Sequence, residues 1–311
     1  MRRAAQKPVA AGLKDFLIFV PMPELRKIKR KDLDLDKYTK AINDALNYRI
    51  YAEYWYLDIL TGEKWECWIY GDYEVVMPIP LQYKFGIKFV LQPVYCQQLG
   101  VFYSEEIPDE LFKEFEKKLH KYRVRAYHFN EENTERYQPE GEKRVNYILD
   151  LNRPYEEIYN NYKKDRKRNI RNSAPQEFIL KKEQNLDNYF ELLKQNYPGL
   201  YQKFIYKNEK RLKQLLNKCN IIPYIIEIGG EISNYRIFLV SKNRIFLIGS
   251  ARNKKIKVDF SSYMIDIVIQ EFSHTKHYLD FEGSTIKGVA TFNESFGAEK
   301  KFYTEFTNFI V

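Results

Sequence analysis

From residue 177 onward the apolar positions switch between two periods. Residues 177–182 alternate as a strand, whereas Leu186, Tyr189, Phe190 and Leu193, and then Leu212, Leu215 and Leu216, recur every three or four residues and predict two helices. Three β-branched and aromatic runs follow: residues 221–228, turning at Gly229-Gly230 into 231–240, and then, after residues 241–244, a third run at 245–251. A Gly-Gly pair between two such runs is a hairpin signal. Ser261 and Ser262 predict the start of a helix running to about Ser273. Residues 278–282 predict a short strand with a turn at Gly283-Ser284, residues 288–296 a helix stopped by Gly297, and residues 301–310 a closing strand.

The first half has the same order in weaker form. It predicts helices over residues 35–46 and 51–60, and a hairpin through Gly71-Asp72 joining 67–70 to 73–80. Strands over 87–94, a helix over 108–120 and a strand over 124–129 follow, then a polar loop over 130–143 and a strand over 145–151. Two halves sharing one order predict an α/β chain with a mixed sheet and a duplicated domain. The division is a flexible leader at 1–24, one unit at 25–152 and a second at 153–311.

Composition narrows the class. With 44% hydrophobic and 30% charged residues, the chain of 311 residues is no disordered segment. Its longest apolar run, residues 16–20 with Pro21 and Met22, is far short of the roughly 20 residues that span a bilayer. Cys67, Cys96 and Cys219 are widely spaced with no CxxC pair, which argues against a metal site or a secreted disulfide framework and for a reducing, cytoplasmic setting. The net charge of +9 is clustered: residues 1–31 carry +7 and residues 153–182 carry +5, so the remainder is slightly acidic. AT-rich coding accounts for abundant Lys and Tyr but not for the clustering.

Pro154 opens a predicted helix over 155–171, with Glu156 and Glu157 in its first turn. Lys163, Lys164, Arg166, Lys167, Arg168 and Arg171 face one Asp within nine residues. A stripe of that density attracts phosphates, which arginine grips bidentately. A solvated helix end balancing its own dipole is the competing reading. In the predicted strand 278–282, alternation puts Asp280 and Glu282 on one face, a pair able to include a general base. The alternative is that one carboxylate ties down backbone N–H groups and the other faces water. Gln97 and Gln98 offer amides either to a sugar or peptide ligand or to buried backbone.

The run Tyr278-Leu-Asp-Phe-Glu-Gly-Ser284, followed by Phe292 and Phe296-Gly-Ala298, resembles the C-terminal signature of FemAB-like proteins, bacterial tandem-GNAT transferases that add amino acids to peptidoglycan precursors. The likeness extends over about residues 25–311 through residues 146–151, 166–171, 73–80 and 91–102, and is nearest to the Bacteroidetes-type branch. It implies a tandem acyl-CoA N-acyltransferase fold, with an acyl or aminoacyl group moved from aminoacyl-tRNA or acyl-CoA to a primary amine of a cell-wall precursor or amino sugar. Asp280 or Glu282 would take the proton. Lys163, Arg166, Lys167, Arg168 and Arg171 would meet phosphate, and Gln97, Gln98 and Ser284 would line the acceptor side. One departure stands out: residues 252–259 (Arg-Asn-Lys-Lys-Ile-Lys-Val-Asp) lack the glycines of a CoA-pyrophosphate loop, leaving Arg252, Lys254 and Lys255 to hold phosphate by charge. Neither a resident cofactor nor a DNA partner is expected, and peripheral membrane contact stays open. The alternatives are a CoA-dependent N-acyltransferase of small amines and a non-catalytic RNA-binding module.

Overall fold

In the computed structural model, residues 24–173, 177–283 and 286–309 are described. The chain opens with β1 (Arg26–Lys29), α1 (Leu35–Asp44), α2 (Tyr54–Thr61), β2 (Trp65–Tyr70), β3 (Val75–Lys84), β4 (Ile87–Leu91) and β5 (Phe102–Tyr103). It continues with α3 (Asp109–His120), β6 (Val124–Phe129), α4 (Glu131–Tyr137) and β7 (Glu142–Asp150). The second half begins with α5 (Tyr155–Asn160), α6 (Lys164–Ser173), β8 (Ile179–Lys182), α7 (Asp187–Asn196), α8 (Pro198–Leu200) and α9 (Glu209–Leu216). Then come β9 (Asn220–Ile228), β10 (Glu231–Val240), β11 (Arg244–Arg252), α10 (Ser261–Phe272), β12 (Tyr278–Asp280), α11 (Lys287–Glu294) and β13 (Glu299–Phe306).

The strands form one mixed sheet in the order β1-β2-β3-β4-β6-β13-β7-β12-β11-β10-β9-β8, with β5 on the side of β3. The final strand, β13, inserts antiparallel between β6 and β7, so the end of the chain joins the sheet of the first half to that of the second. One apolar core lies under α1–α3 and continues to Phe190, Leu193, Leu212 and Leu215 of α7 and α9. The other sits between α10, α5 and the second-half sheet around Met264, Phe238 and Leu279. Among the described residues no helix is long and apolar enough to cross a membrane.

Several expectations are corrected. Residues 130–143 are not a loop: Asn130 caps α4 by accepting from the Asn133 amide at 2.9 Å, and this helix buries polar side chains, Glu131, Asn133 and Thr134, so hydropathy does not reveal it. The single basic helix over 155–171 is two, α5 and α6. Lys163 N–H donates to the Ser295 carbonyl at 2.9 Å instead of continuing the helical ladder, and the chain restarts there. The strand at 278–282 stops at Asp280: Phe281 N–H turns to the Tyr147 carbonyl and Glu282 takes φ +56°. Ser261 and Ser262 lie inside α10, while Asp259 accepts from the Ser261 amide at 2.9 Å. The leader and Ser284 lie outside the described residues.

Candidate active site

β11 and β12 run parallel and pair only from Arg244↔Tyr278 to Phe246↔Asp280. Beyond that point the strands part, and the opening between residues 247–250 and 281–283 is a cleft of about 580 Å³. Tyr189, Arg236, Phe281, Glu282, Phe292 and Asn293 are among the residues that line it. A second hollow of about 520 Å³, lined by Arg166, Asn169, Asn172 and Ser262, shares Asp259, Gly288 and Phe292 with the first. The two adjoin at α11.

Glu282 is the reactive candidate. Its left-handed backbone is uncommon for a residue with a side chain and marks a held position. The Tyr51 hydroxyl, from the first half, donates to its Oε1, and Gln97 Nε2 donates to its carbonyl. Burial pushes the carboxyl up to about 8; the Tyr51 hydrogen bond opposes this and the Asp280 charge adds to it. Burial first, and then the nearby Glu282 charge, keep the Tyr51 hydroxyl protonated, so it is a donor throughout the neutral range. A carboxyl poised near neutrality in a cleft has the property a general base requires.

Asp280 is a different group. It is fully buried and accepts from Arg244 Nη1 at 2.8 Å, Asn146 Nδ2 at 3.0 Å and the Glu282 amide at 2.9 Å. Burial raises its pKa, Arg244 pulls it down, and Glu131 raises it again. Arg244 Nη2 reaches Glu131 at 2.7 Å, and Glu131 also meets Asn146 at 2.7 Å and Arg49 at 3.3 Å. Burial opposes the Glu131 charge, yet Arg244 and Arg49 outweigh it and hold that carboxyl down at about 2. Glu131 comes from the first half and Arg244 from the second, so this network joins the halves. Gln98 belongs to it, accepting from the Glu131 amide at 3.1 Å.

The basic candidates separate by exposure. Arg166 is buried in the second hollow, donates from Nε to Ser295 Oγ at 2.7 Å and from Nη1 to Ser262 Oγ, and lies 4.2 Å from the Phe292 ring centroid. Burial lowers its pKa, and among the described residues no carboxylate pairs with it. Lys167 donates to the Asn160 carbonyl at 3.0 Å, Lys163 sits 3.9 Å from Glu294, and Arg168 and Arg171 are exposed. Arg252 folds back on its own loop, 3.2 Å from Asp259 and bonded to the carbonyls of Ile256 and Lys257 at 3.2 and 3.0 Å. Sequence reasoning missed Arg244, Glu131, Tyr51 and Arg236. The one signal available was a charge placed inside or beside an apolar strand run, as in 232–240.

Gly283 makes the turn after Glu282 possible. It has φ +59°, and a Cβ built on it would lie 2.1 Å from the Val145 carbonyl oxygen. Gly283→Ala therefore loses at least about 1–2 kcal/mol from the left-handed backbone alone, and must also push residues 281–283 off β7. Calorimetry should show a lower Tm.

No family model matches the chain, and no curated protein matches it in sequence. Solved structures do. The crystal structure of FemX overlays with a TM-score of 0.64 at 10% identity, over 89% of this chain and 96% of FemX. A C-terminal domain assigned to a lysylphosphatidylglycerol synthetase of Agrobacterium fabrum gives 0.54 at 10% identity, over 88% of this chain and 91% of that one. A conserved protein of unknown function from Bacteroides thetaiotaomicron gives 0.52 at 13% identity, over 91% and 99%. The fold is thus mixed α/β and of the kind seen in FemX.

Proposed function

We propose, from the FemX-like fold and this cleft, that the chain is a transferase that forms an amide by moving an acyl or aminoacyl group to a primary amine. The observation that carries the reading is Glu282, a carboxyl raised to about 8 in the opening between β11 and β12. The acceptor amine enters there. As its nitrogen attacks the activated ester carbon, Glu282 takes the amine proton and the ester oxygen leaves with the electron pair of the broken bond. No covalent enzyme intermediate is needed, because a neutral amine is itself a competent nucleophile. Asp280, saturated by Arg244, Asn146 and the Glu282 amide, positions the turn and is no base. In this reading residues 25–152 and 153–311 are the two GNAT-like units.

The donor is aminoacyl-tRNA rather than acyl-CoA. In support, Arg252 is engaged with its own loop, while Arg166 faces the adjoining hollow without an acidic partner. Exposed Arg168 and Arg171 continue the cationic surface on α6 for nucleic-acid phosphates. The acceptor is an amine of the cell-wall-precursor or amino-sugar type. The test supplies aminoacyl-tRNA or acyl-CoA with a panel of such amines and reads amide products by mass spectrometry. Product with aminoacyl-tRNA alone supports the reading; product with acyl-CoA alone transfers it to the CoA-dependent alternative. Arg166→Lys, which keeps charge but loses the planar fork, raises KM for the tRNA donor about tenfold with kcat little changed.

A further inference from the structure

Arg236 has no role in the steps above, and its surroundings are unusual. It lies mid-strand on β10, is 7% exposed, and is bracketed by Tyr224 on β9 and Ser250 on β11. The β10–β11 register shifts between Ile237 and Phe238, immediately next to it, and an irregularity of that kind re-aims the neighbouring side chain. Arg236 lines the same cleft as Glu282.

Among the described residues its guanidinium makes one hydrogen bond, from Nη1 to the Tyr235 carbonyl at 3.2 Å, and Nε is buried with no partner. Asp259, the lining acid whose charge acts on Arg236, forms no ion pair with it and is engaged by Arg252 at 3.2 Å, the Ser261 amide at 2.9 Å and Asn234 Nδ2 at 3.1 Å. A buried charge without a partner is costly, and a protein retains one where a ligand supplies the counter-charge. The contrast is Arg244, equally buried and likewise without a partner at Nε, but with both Nη groups held by carboxylates, Glu131 and Asp280.

We propose that Arg236 is the recognition site for a carboxylate carried by the acceptor, so that the accepted amine belongs to an amino-acid-like or peptide-like molecule. This rests on the transferase reading only in naming the carboxylate's owner. Glu282 and Arg236 line one cleft, so the molecule that brings its amine to Glu282 brings the anion as well. A guanidinium edge matches a carboxylate bidentately, with two parallel N–H···O bonds.

The test is direct binding, with no donor present. Calorimetric titration compares a series of ω-amino carboxylates, from glycine to 6-aminohexanoate, each beside its own carboxamide. The native protein is expected to bind at least one carboxylate at least tenfold more tightly than the matching amide. Arg236→Gln should abolish that preference and Arg236→Lys should keep part of it. Because the ligand-free protein holds the charge unpaired, Arg236→Met should leave Tm unchanged or raise it. Equal binding of every acid and amide, no binding by any of them, a preference that survives in Arg236→Gln, or a Tm that falls in Arg236→Met as after a core truncation would each overturn the proposal. Failure of the transferase reading looks different: no donor yields product while the carboxylate preference persists.

Discussion

Replacing Glu282 by Gln lowers kcat/KM for amide formation by about 10²–10⁴-fold, the usual contribution of a positioned general base. The variant stays folded, since Tyr51 can donate to the Gln carbonyl as it does to the carboxyl. Two pH signatures accompany the loss and run in opposite directions. For the rate, the base must be ionised, so the native kcat/KM climbs with pH and levels above about 8, where the carboxyl titrates. For stability, the native state holds a proton that the unfolded chain releases near the ordinary Glu value of 4.5. Between that value and about 8 the folded state binds more protons, so stability falls with rising pH, by at most about 1.4 kcal/mol per pH unit. Above about 8 both states are ionised and the contribution levels off. In Glu282→Gln the rate dependence disappears and the stability dependence loses this contribution. Urea titrations at pH 5, 7 and 9, compared with rate profiles of the two proteins, read them separately.

Arg244→Met is the most destabilising substitution expected. It leaves Glu131 and Asp280 buried without their shared cation, and breaking a buried pair from one side costs about 3–5 kcal/mol. At roughly 2–4 °C per kcal/mol for a domain of some 200 residues, Tm falls by on the order of 10 °C. Since Glu131 and Arg244 come from different halves, the unfolding midpoints of both halves should move together. Adding Glu131→Gln and Asp280→Asn removes the stranded charges, and the triple variant should recover part of the loss. The double-mutant cycle between Glu131 and Arg244 measures their coupling, expected at 0.5 kcal/mol or more. Asp280→Asn alone should lower Tm and move the rate limb to lower pH without abolishing it, since the Asp280 charge is one of the causes that raise the Glu282 carboxyl; this separates its positioning role from the role of Glu282.

Local periodicity made most of the fold readable. The strand expected at 124–129 is β6 residue for residue, and the Gly229-Gly230 hairpin joins β9 to β10. What stayed illegible had physical reasons. In α4 the buried face is Glu131, Asn133 and Thr134, so a helix stabilised by hydrogen bonds reads as a polar loop. The short edge strand β1, Arg-Lys-Ile-Lys, has nothing apolar enough to announce it. Insertion of β13 between β6 and β7 is a pairing across more than 140 residues, and no local pattern encodes it. In the site, the phosphate candidate Arg166 and the base candidate Glu282 line adjoining hollows, and Gln97 contacts Glu282. The alternation argument that paired Asp280 with Glu282 fails because the strand ends between them. Partners such as Arg244 and Tyr51 come from elements remote in sequence, and burial alone distinguishes their charge or hydroxyl from a surface one.

The most direct test of the account is single-turnover amide formation from aminoacyl-tRNA by the native protein and Glu282→Gln, followed by mass spectrometry at pH 7 and pH 9. The account predicts product with the native protein, formed about tenfold faster at pH 9 than at pH 7 as a base of pKa about 8 ionises. It predicts a folded Glu282→Gln protein slower by about 10²–10⁴-fold, with that rise gone. Equal rates in the two proteins, with the same pH profile, would contradict it.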